Sequence, residues 1–394
     1  WEPIVVTVEN GEYPAIDDSL EHEIDAGVRV YKVPSLEFFD LFRKLTGKKK
    51  GEKIDTYELV KGKKQLSLKE RVAQFVRMNF LIPDARIGWN IRGYKKCLGI
   101  VQSEKPDVIF SSSPPHSLQI LAMRLAKKTN VKWVVDFRDP WTRSFYDKGV
   151  DRWPFAEKYN QRLEQRVVRS ADCVTAVSQG VLDLVGAGEA RKSKVISNGY
   201  DSEDFTAEKE QNDLFTIVYT GHIASVQNPE KFFQAIANLI KDRTKKIEVH
   251  IYGSADRSVH ETVESLSLQE VVIFHAYVSH HEVTGIMINA DLLLLLIPRV
   301  NAKGILTGKL FEYLAADNFI LGIGDENGIA AEVIRQCEAG TMVDFSKDPI
   351  GVVRECYRKW IDKEIHTGNR NEIEKYSRKN LTKELTTLFS DICA

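Results

Sequence analysis

Eleven short apolar runs punctuate this chain, and between most of them lie segments with the length and periodicity of a helix. Such a pattern closes into parallel sheets, because a parallel strand pair needs a crossover and the crossover helix covers the sheet. Six runs come first: Ile4 to Val8, Val28 to Val33, Asp107 to Ser113, Lys132 to Phe137, Cys173 to Val177 and Lys194 to Asn198. Helices are expected at His116 to Lys128 and at Phe155 to Arg169. Asn198, Gly199, Tyr200 and Asp201 then form a turn-rich joint, and the alternation restarts. Strands are predicted at Phe215 to Gly221, Ile247 to Gly253, Val271 to Tyr277, Leu292 to Pro298 and Phe319 to Gly324, with helices at Pro229 to Lys241, His260 to Leu266 and His281 to Asn289. The run at Leu292 to Pro298 is far short of the about 18 residues that a membrane span needs, so it reads as a buried strand.

The fold class expected is therefore α/β, with two doubly wound, Rossmann-like domains facing across a cleft. The boundaries predicted are 1–197 for the first domain, 198–371 for the second, and 372–394 for a tail. From Glu372 to Ile392 that tail reads as one amphipathic helix crossing back to the first domain. A doubly wound domain ordinarily opens on a strand, a turn and a helix, and that unit is expected to precede Trp1. With 394 residues, 43% of them hydrophobic, each domain can bury a proper core.

Fifty-five basic residues balance fifty-six acidic ones, which argues against a protein built around nucleic-acid phosphates. The balance is uneven, because Arg43 to Arg71 holds eleven Lys or Arg against Glu52, Asp55, Glu58 and Glu70. With Phe38, Phe39, Phe42, Phe75, Phe80, Leu81 and Ile82 around it, the stretch 38–82 reads either as a membrane-surface contact or as a solvated loop. Cys97, Cys173, Cys337, Cys356 and Cys393 are widely spaced and form neither metal-type pairs nor a disulfide framework, so a cytoplasmic location is expected, peripheral on the membrane if the basic stretch is a contact.

The most informative motif is GILTGKLFEYLAA, Gly304 to Ala316, a glycine-punctuated loop that enters a helix. A helix start leaves backbone amides without partners and adds a positive dipole end, so the amides near Leu306, Thr307 and Gly308 suit a diphosphate. Thr307 is expected to cap the helix. Lys309 and Glu312 fall together on the face opposite Leu310, Phe311 and Leu314, and Glu312 is placed to accept hydrogen bonds from a ribose diol. The plainer alternative is a solvent-facing Lys-Glu pair. Loops at the carboxyl ends of the strands, after Gly221, Gly253, Tyr277, Pro298 and Gly324, should crowd the same edge. In the first domain DFRDPW places Asp136, Arg138 and Asp139 at a strand end, where Arg138 suits an oxyanion. Asp136 with Arg138 equally suits a structural ion pair, and His116 after Pro114 and Pro115 equally suits packing at a helix start.

Five motifs, SSPPHS (112–117), DFRDPW (136–141), SNGYD (197–201), YTG (219–221) and TGKLFEYLA (307–315), each lie at a predicted strand end or helix start, and together the chain resembles the retaining glycosyltransferases of family 4, which have the GT-B fold. The likeness covers nearly the whole chain and implies a nucleoside diphosphate sugar as donor, a UDP-sugar favoured, and a hydroxyl on a glycan or lipid-linked acceptor in surface polysaccharide or glycolipid synthesis. By that resemblance Glu312 matches the second glutamate of an E-x7-E motif, which holds the ribose, while Gly304 stands where the first would be. The basic residue that often follows the first strand of the second domain is replaced by His222 after Gly221, and Lys309 is expected to supply that charge. Arg138 takes approximately the place of a histidine near the reacting sugar, so Arg138, Asp139, Asp136 and His116 form the implied catalytic set. No metal or other cofactor is expected, since Asp136 and Asp139, or Asp325 beside Glu326, make poor metal motifs. Two further readings are an epimerase of the same fold and a non-catalytic sugar-nucleotide-binding protein.

Overall fold

The computed structural model describes residues 1–9, 11, 24–35, 68–143, 152–241, 246–298 and 306–394. The chain divides into two compact units, one of 1–196 with 385–394 and the other of 197–384. In the first unit β1 (Ile4–Val8) and β2 (Arg29–Val33) pair in parallel. A separate four-stranded parallel sheet runs in the order β3 (Val108–Ser113), β4 (Lys132–Phe137), β5 (Cys173–Ala176), β6 (Ser193–Val195). Its helices are α1 (Leu68–Phe80), α2 (Trp89–Glu104), α3 (Ser117–Thr129), α4 (Pro154–Ser170) and the short α5 (Gln179–Leu184). Trp133, Val135, Phe137 and Val174 anchor the core with Leu163 and Val167 of α4, apolar residues one helical turn apart that turn that helix inward.

In the second unit six parallel strands lie in the order β12, β11, β10, β7, β8, β9. They are β7 (Phe215–Thr220), β8 (Ile247–Tyr252), β9 (Val272–His275), β10 (Leu292–Leu296), β11 (Ile320–Ile323) and β12 (Gly340–Val343). The helices are α6 (Glu230–Ile240), α7 (Arg257–Ser265), α8 (His280–Ile288), α9 (Gly308–Ala315), α10 (Ile329–Gln336), α11 (Ile350–Ile361), α12 (Arg370–Glu374) and α13 (Arg378–Cys393), whose last turns count with the first unit. The five leucines of β10 show why an uninterrupted apolar run is a strand here. Leu292, Leu294 and Leu296 join the layer of Phe232, Phe233 and Ile236, whereas Leu293 and Leu295 join that of Leu310, Phe311 and Leu314. A strand covered by helices on both faces has no side left for polar residues.

The chain runs outward from β7 through β8 to β9, then returns to β10 on the other side of β7. At that reversal the loops after β7 and β10 leave in opposite directions and open a crevice at the carboxyl edge. The GKLFEYLA helix α9 follows β10 and so starts at this reversal.

Some sequence expectations need correction. The strand predicted to Tyr277 ends at His275, and the helix predicted from His260 begins at Arg257. The strand β12 and helices α10 and α11 add a sixth strand and two helices that the apolar runs did not announce. The tail is two helices rather than one. Tyr200 explains the break: its N–H donates to the Tyr376 carbonyl (3.1 Å) and its carbonyl accepts from Arg378 N–H (2.8 Å), so strand-like pairing consumes the groups that would have continued the helix. Gly199 is required beside it, because a Cβ there would stand 2.2 Å from the Tyr376 oxygen. Residues 36–67, including Phe38, Phe39, Phe42 and most of the basic stretch, lie outside the described residues, as does Gly304.

Candidate functional site

The donor-side candidates converge where β7 meets α9. Lys309, one residue into the helix, turns toward the sheet rather than solvent, and its Nζ donates to the Tyr219 hydroxyl at 2.8 Å while lying 4.4 Å from the centre of that ring. Tyr219 in turn donates to the His222 carbonyl at 2.8 Å, which fixes its hydroxyl as an acceptor toward the lysine. Four residues beyond Lys309, the Tyr313 hydroxyl accepts from Thr220 N–H at 3.0 Å. Two tyrosines thus tie the end of β7 to the start of α9. Burial holds the Lys309 amine down at about 8, against an opposing pull from Glu312.

Gly221 sits under Lys309. Its φ of +105° is unfavourable for any side chain, and a Cβ would stand 2.6 Å from the lysine nitrogen. Gly253, at the end of β8 with φ +129°, lies against it: a Cβ there would come within 2.4 Å of the Gly221 carbonyl. The edge at β7 and β8 is therefore bare backbone with one cation above it, a surface a ligand can approach closely.

Glu312 stands one turn further along α9. Its carboxylate has no hydrogen-bond partner among the described residues, and burial raises its pKa against the pull of His280, Arg378 and Lys309. No Lys309–Glu312 ion pair occurs within 4 Å among the described residues, so the solvent-facing pair of the plainer reading is replaced by a lysine committed to Tyr219 and a carboxylate left open. The cap expectation for Thr307 is corrected. Thr307 occupies the N-cap position with extended backbone, but its Oγ1 is buried without a partner and makes no bond to the helix, so its side chain satisfies none of the first-turn amides. Leu306 contributes only backbone, because its side chain belongs to the core with Leu310 and Leu314. Gly308 is exposed at the helix start. His222 points outward, its Nδ1 2.8 Å from Ser254 Oγ and its Nε2 3.7 Å from Asp256. Tyr277 is 68% exposed, beyond the end of β9.

The first-unit candidates separate into two groups. Asp136 is fully buried in β4, where Oδ1 accepts from Thr175 Oγ1 (2.7 Å) and Oδ2 accepts from Ser112 Oγ (2.7 Å) and Arg138 Nε (2.7 Å). That carboxylate is the hub of three strands, buried with both oxygens engaged, and this corrects its placement in the catalytic set. His116 is likewise interior in character. It stacks on Trp141 at 5.2 Å, its Nδ1 lies 3.2 Å from Ser113 Oγ, and it hydrogen-bonds the Pro140 carbonyl, so it clasps SSPPHS to DFRDPW. Arg138 is partly exposed and also reaches the Ile196 carbonyl at 3.4 Å. Asp139 is half-buried with no hydrogen-bond partner among the described residues, and burial pushes its carboxyl up. Of the two candidates Asp136 and Asp139, it is the carboxylate left open.

Sequence reading missed Asp84, whose carboxylate receives the Ser117 N–H and hydroxyl, both at 2.8 Å, and so occupies the start of α3. It missed the roles of Tyr219 and Tyr313 as well, although both sit inside quoted motifs. Their signal was a hydroxyl in an otherwise apolar strand and helix, where a buried phenol needs a partner.

Burial is the main force that lowers the His116 pKa, to about 4, with the Arg152 charge adding to it. Between that value and the about 6.5 of an unfolded histidine, the unfolded chain binds a proton that the folded protein does not. Stability from this group is thus complete above about pH 6.5 and falls by about 3 kcal/mol as pH drops toward 4. Urea unfolding of the wild type and of His116→Gln across that window should show the steeper acid loss in the wild type. Parallel slopes would mean that His116 is not held neutral.

Family models recognise both halves of the chain. The Glycosyltransferase Family 4 model matches residues 55–204, and the Glycosyl transferases group 1 model matches residues 201–380. A search of curated proteins gives no match. Among solved structures, a glycosyltransferase from Rickettsia africae superposes with a TM-score of 0.62 at 14% identity, over 99% of this chain and 90% of that one. HepE of Anabaena in complex with UDP gives 0.59 at 14% identity over 77% and 83%, and sucrose-phosphate synthase of Thermosynechococcus elongatus 0.57 at 11% over 76% and 78%. Identities this low speak to the fold, an α/β architecture of two Rossmann-like domains, and the two family models, running in order from 55 to 380, carry the membership. The chain belongs to the family 4 and group 1 glycosyltransferases of GT-B fold, and it is a glycosyltransferase.

Proposed function

We propose that this glycosyltransferase transfers a sugar, with retention at the anomeric carbon, from a UDP-sugar to a hydroxyl on a glycan or lipid-linked acceptor in surface polysaccharide or glycolipid synthesis. The observation that carries the donor side is the junction of β7 and α9: bare backbone at Gly221 and Gly253, the Lys309 ammonium directly above it, and the open Glu312 carboxylate one turn away. The diphosphate lies on the amides of Gly308 and Lys309 and against the Lys309 ammonium, which together meet the charge that grows as the nucleotide departs. Glu312 accepts both ribose hydroxyls. HepE of Anabaena, similar in fold, has been solved with UDP and with UDP-glucose, which supports a uridine donor. With cation and amides supplied by the protein, the reaction proceeds without a metal. Arg138 and Asp139 orient the acceptor, and Asp136 and His116 act by holding the strand end that carries them.

Calorimetric titration of UDP, GDP, ADP, CDP and TDP into the wild type and Glu312→Ala tests this reading. UDP should bind, and the variant should bind it about 10- to 100-fold more weakly, the cost of removing hydrogen bonds to a charged group. Unchanged affinity in the variant would displace the ribose from Glu312. A preference for another nucleotide would overturn the uridine assignment.

A further inference from the structure

An amphipathic helix normally turns its apolar stripe inward. α1 does the reverse. Val72, Phe75 and Val76, at positions i, i+3 and i+4, share one face of it, and Val72 is 55% exposed with Phe75 and Val76 also on the surface. Phe80 ends the helix 65% exposed. The start of α4 extends the patch: Phe75 packs edge-on to Phe80 (6.3 Å) and to Trp153 (4.9 Å), and Phe155, two residues on, is 79% exposed. Asn79 makes the patch a fixed surface, because its Oδ1 accepts the Trp153 N–H at 2.7 Å while its Nδ2 donates to the Phe75 carbonyl at 3.0 Å. Six large apolar side chains presented together on one built surface are unusual for a face that meets only water.

Charge names the occupant. The whole chain is at −1, yet α1 itself carries Lys69, Arg71 and Arg77 against Glu70, α4 adds exposed Lys158 and Arg162 close to Phe155 in sequence, and the stretch 43–67, outside the described residues, holds nine more Lys or Arg against three acidic residues in sequence. Aromatic and aliphatic side chains in the midst of a cationic segment fit the boundary of an anionic bilayer, where rings and stems enter the headgroup level and cations meet the phosphates. We infer that Val72, Phe75, Val76, Phe80, Trp153 and Phe155 form a membrane seat, with which the first unit rests on an anionic lipid surface. The seat is independent of the donor site, so the two can fail separately.

Co-sedimentation of the full-length protein with phosphatidylcholine vesicles, with and without phosphatidylglycerol, tests this. The wild type should partition onto the anionic vesicles, less so as salt rises. Phe80→Ser with Phe155→Ser should weaken partitioning by about tenfold per phenylalanine, with melting and nucleotide affinity unchanged because both side chains are exposed. Arg71→Gln with Lys158→Gln should weaken it at low salt and less at high salt. A wild type that stays in solution with either vesicle overturns the inference. So does equal binding by the serine variant, a dimer that the serine variant abolishes, or single-stranded nucleic acid bound equally by wild type and serine variant.

Discussion

Lys309→Met is expected to lower kcat/KM by about 10²- to 10³-fold, the range seen when one preorganised charge-stabilising group is taken from a transition state. Methionine nearly preserves the length and bulk of the side chain, so the space above Gly221 stays filled and the ammonium alone is lost. Tyr219 keeps its bond to the His222 carbonyl, and melting should be close to that of the wild type. The same group predicts a pH profile. With its amine held at about 8 by burial, Lys309 is charged below that value and neutral above it, so kcat/KM of the wild type should fall as pH rises through about 8, and the variant should lack that limb. Nucleoside diphosphate affinity should drop together with turnover, because in the proposed function the charge meets the diphosphate in both states. Turnover within a few fold of wild type would remove Lys309 from the reaction and leave Tyr219 with a purely structural lysine.

Asp136→Ala is expected to destabilise the first unit by about 3–5 kcal/mol, the cost of breaking one partner out of a buried ionic cluster. The variant takes the Asp136 partner from the Arg138 guanidinium, leaves the Ser112 hydroxyl without its acceptor and leaves the Thr175 hydroxyl only a long bond to the Val135 carbonyl (3.4 Å). Asp136→Asn keeps one acceptor oxygen and should lose markedly less. Denaturant unfolding followed by tryptophan fluorescence reports the change directly, since Trp133 and Trp141 lie in that unit's core. A loss below about 1 kcal/mol, within the range of an exposed pair, would show that the carboxylate is not the hub of the sheet and would reopen its place in catalysis. Loss of activity in the folded Asn variant would instead reflect misplacement of Arg138 and Asp139.

The strands were legible from sequence for a plain reason. A strand covered on both faces is mostly apolar, so the apolar runs in VIFSSS, KWVVDF, FTIVYT and LLLLL announce themselves, and β4 and β10 lie where their residues predict. The end of the alternation was harder. β12 reads GTMV, four residues with a glycine and a threonine, too short and mixed to stand out. The break in the tail was invisible because its cause, the backbone of Tyr200, is far away in sequence.

The sequence by itself determined the αβ alternation, the restart near residue 198 and the cluster of Thr307, Gly308, Lys309 and Glu312 at the head of one helix, because each depends on local periodicity and on neighbours within a few residues. Tertiary structure alone decided what those residues do. Whether Lys309 points to water or to Tyr219 depends on 90 residues of intervening chain. Asp136 at a strand end suited a substrate contact and a structural ion pair alike, and the fold made it an interior hub by bringing Ser112 and Thr175 to it on the flanking strands. The stretch 38–82 read from sequence as a membrane contact or a solvated loop, and only packing shows that Val72, Phe75 and Val76 of α1 lie on the surface. Burial and pairing are properties of the whole fold, and they set the charge state and reach of a side chain that sequence can only name.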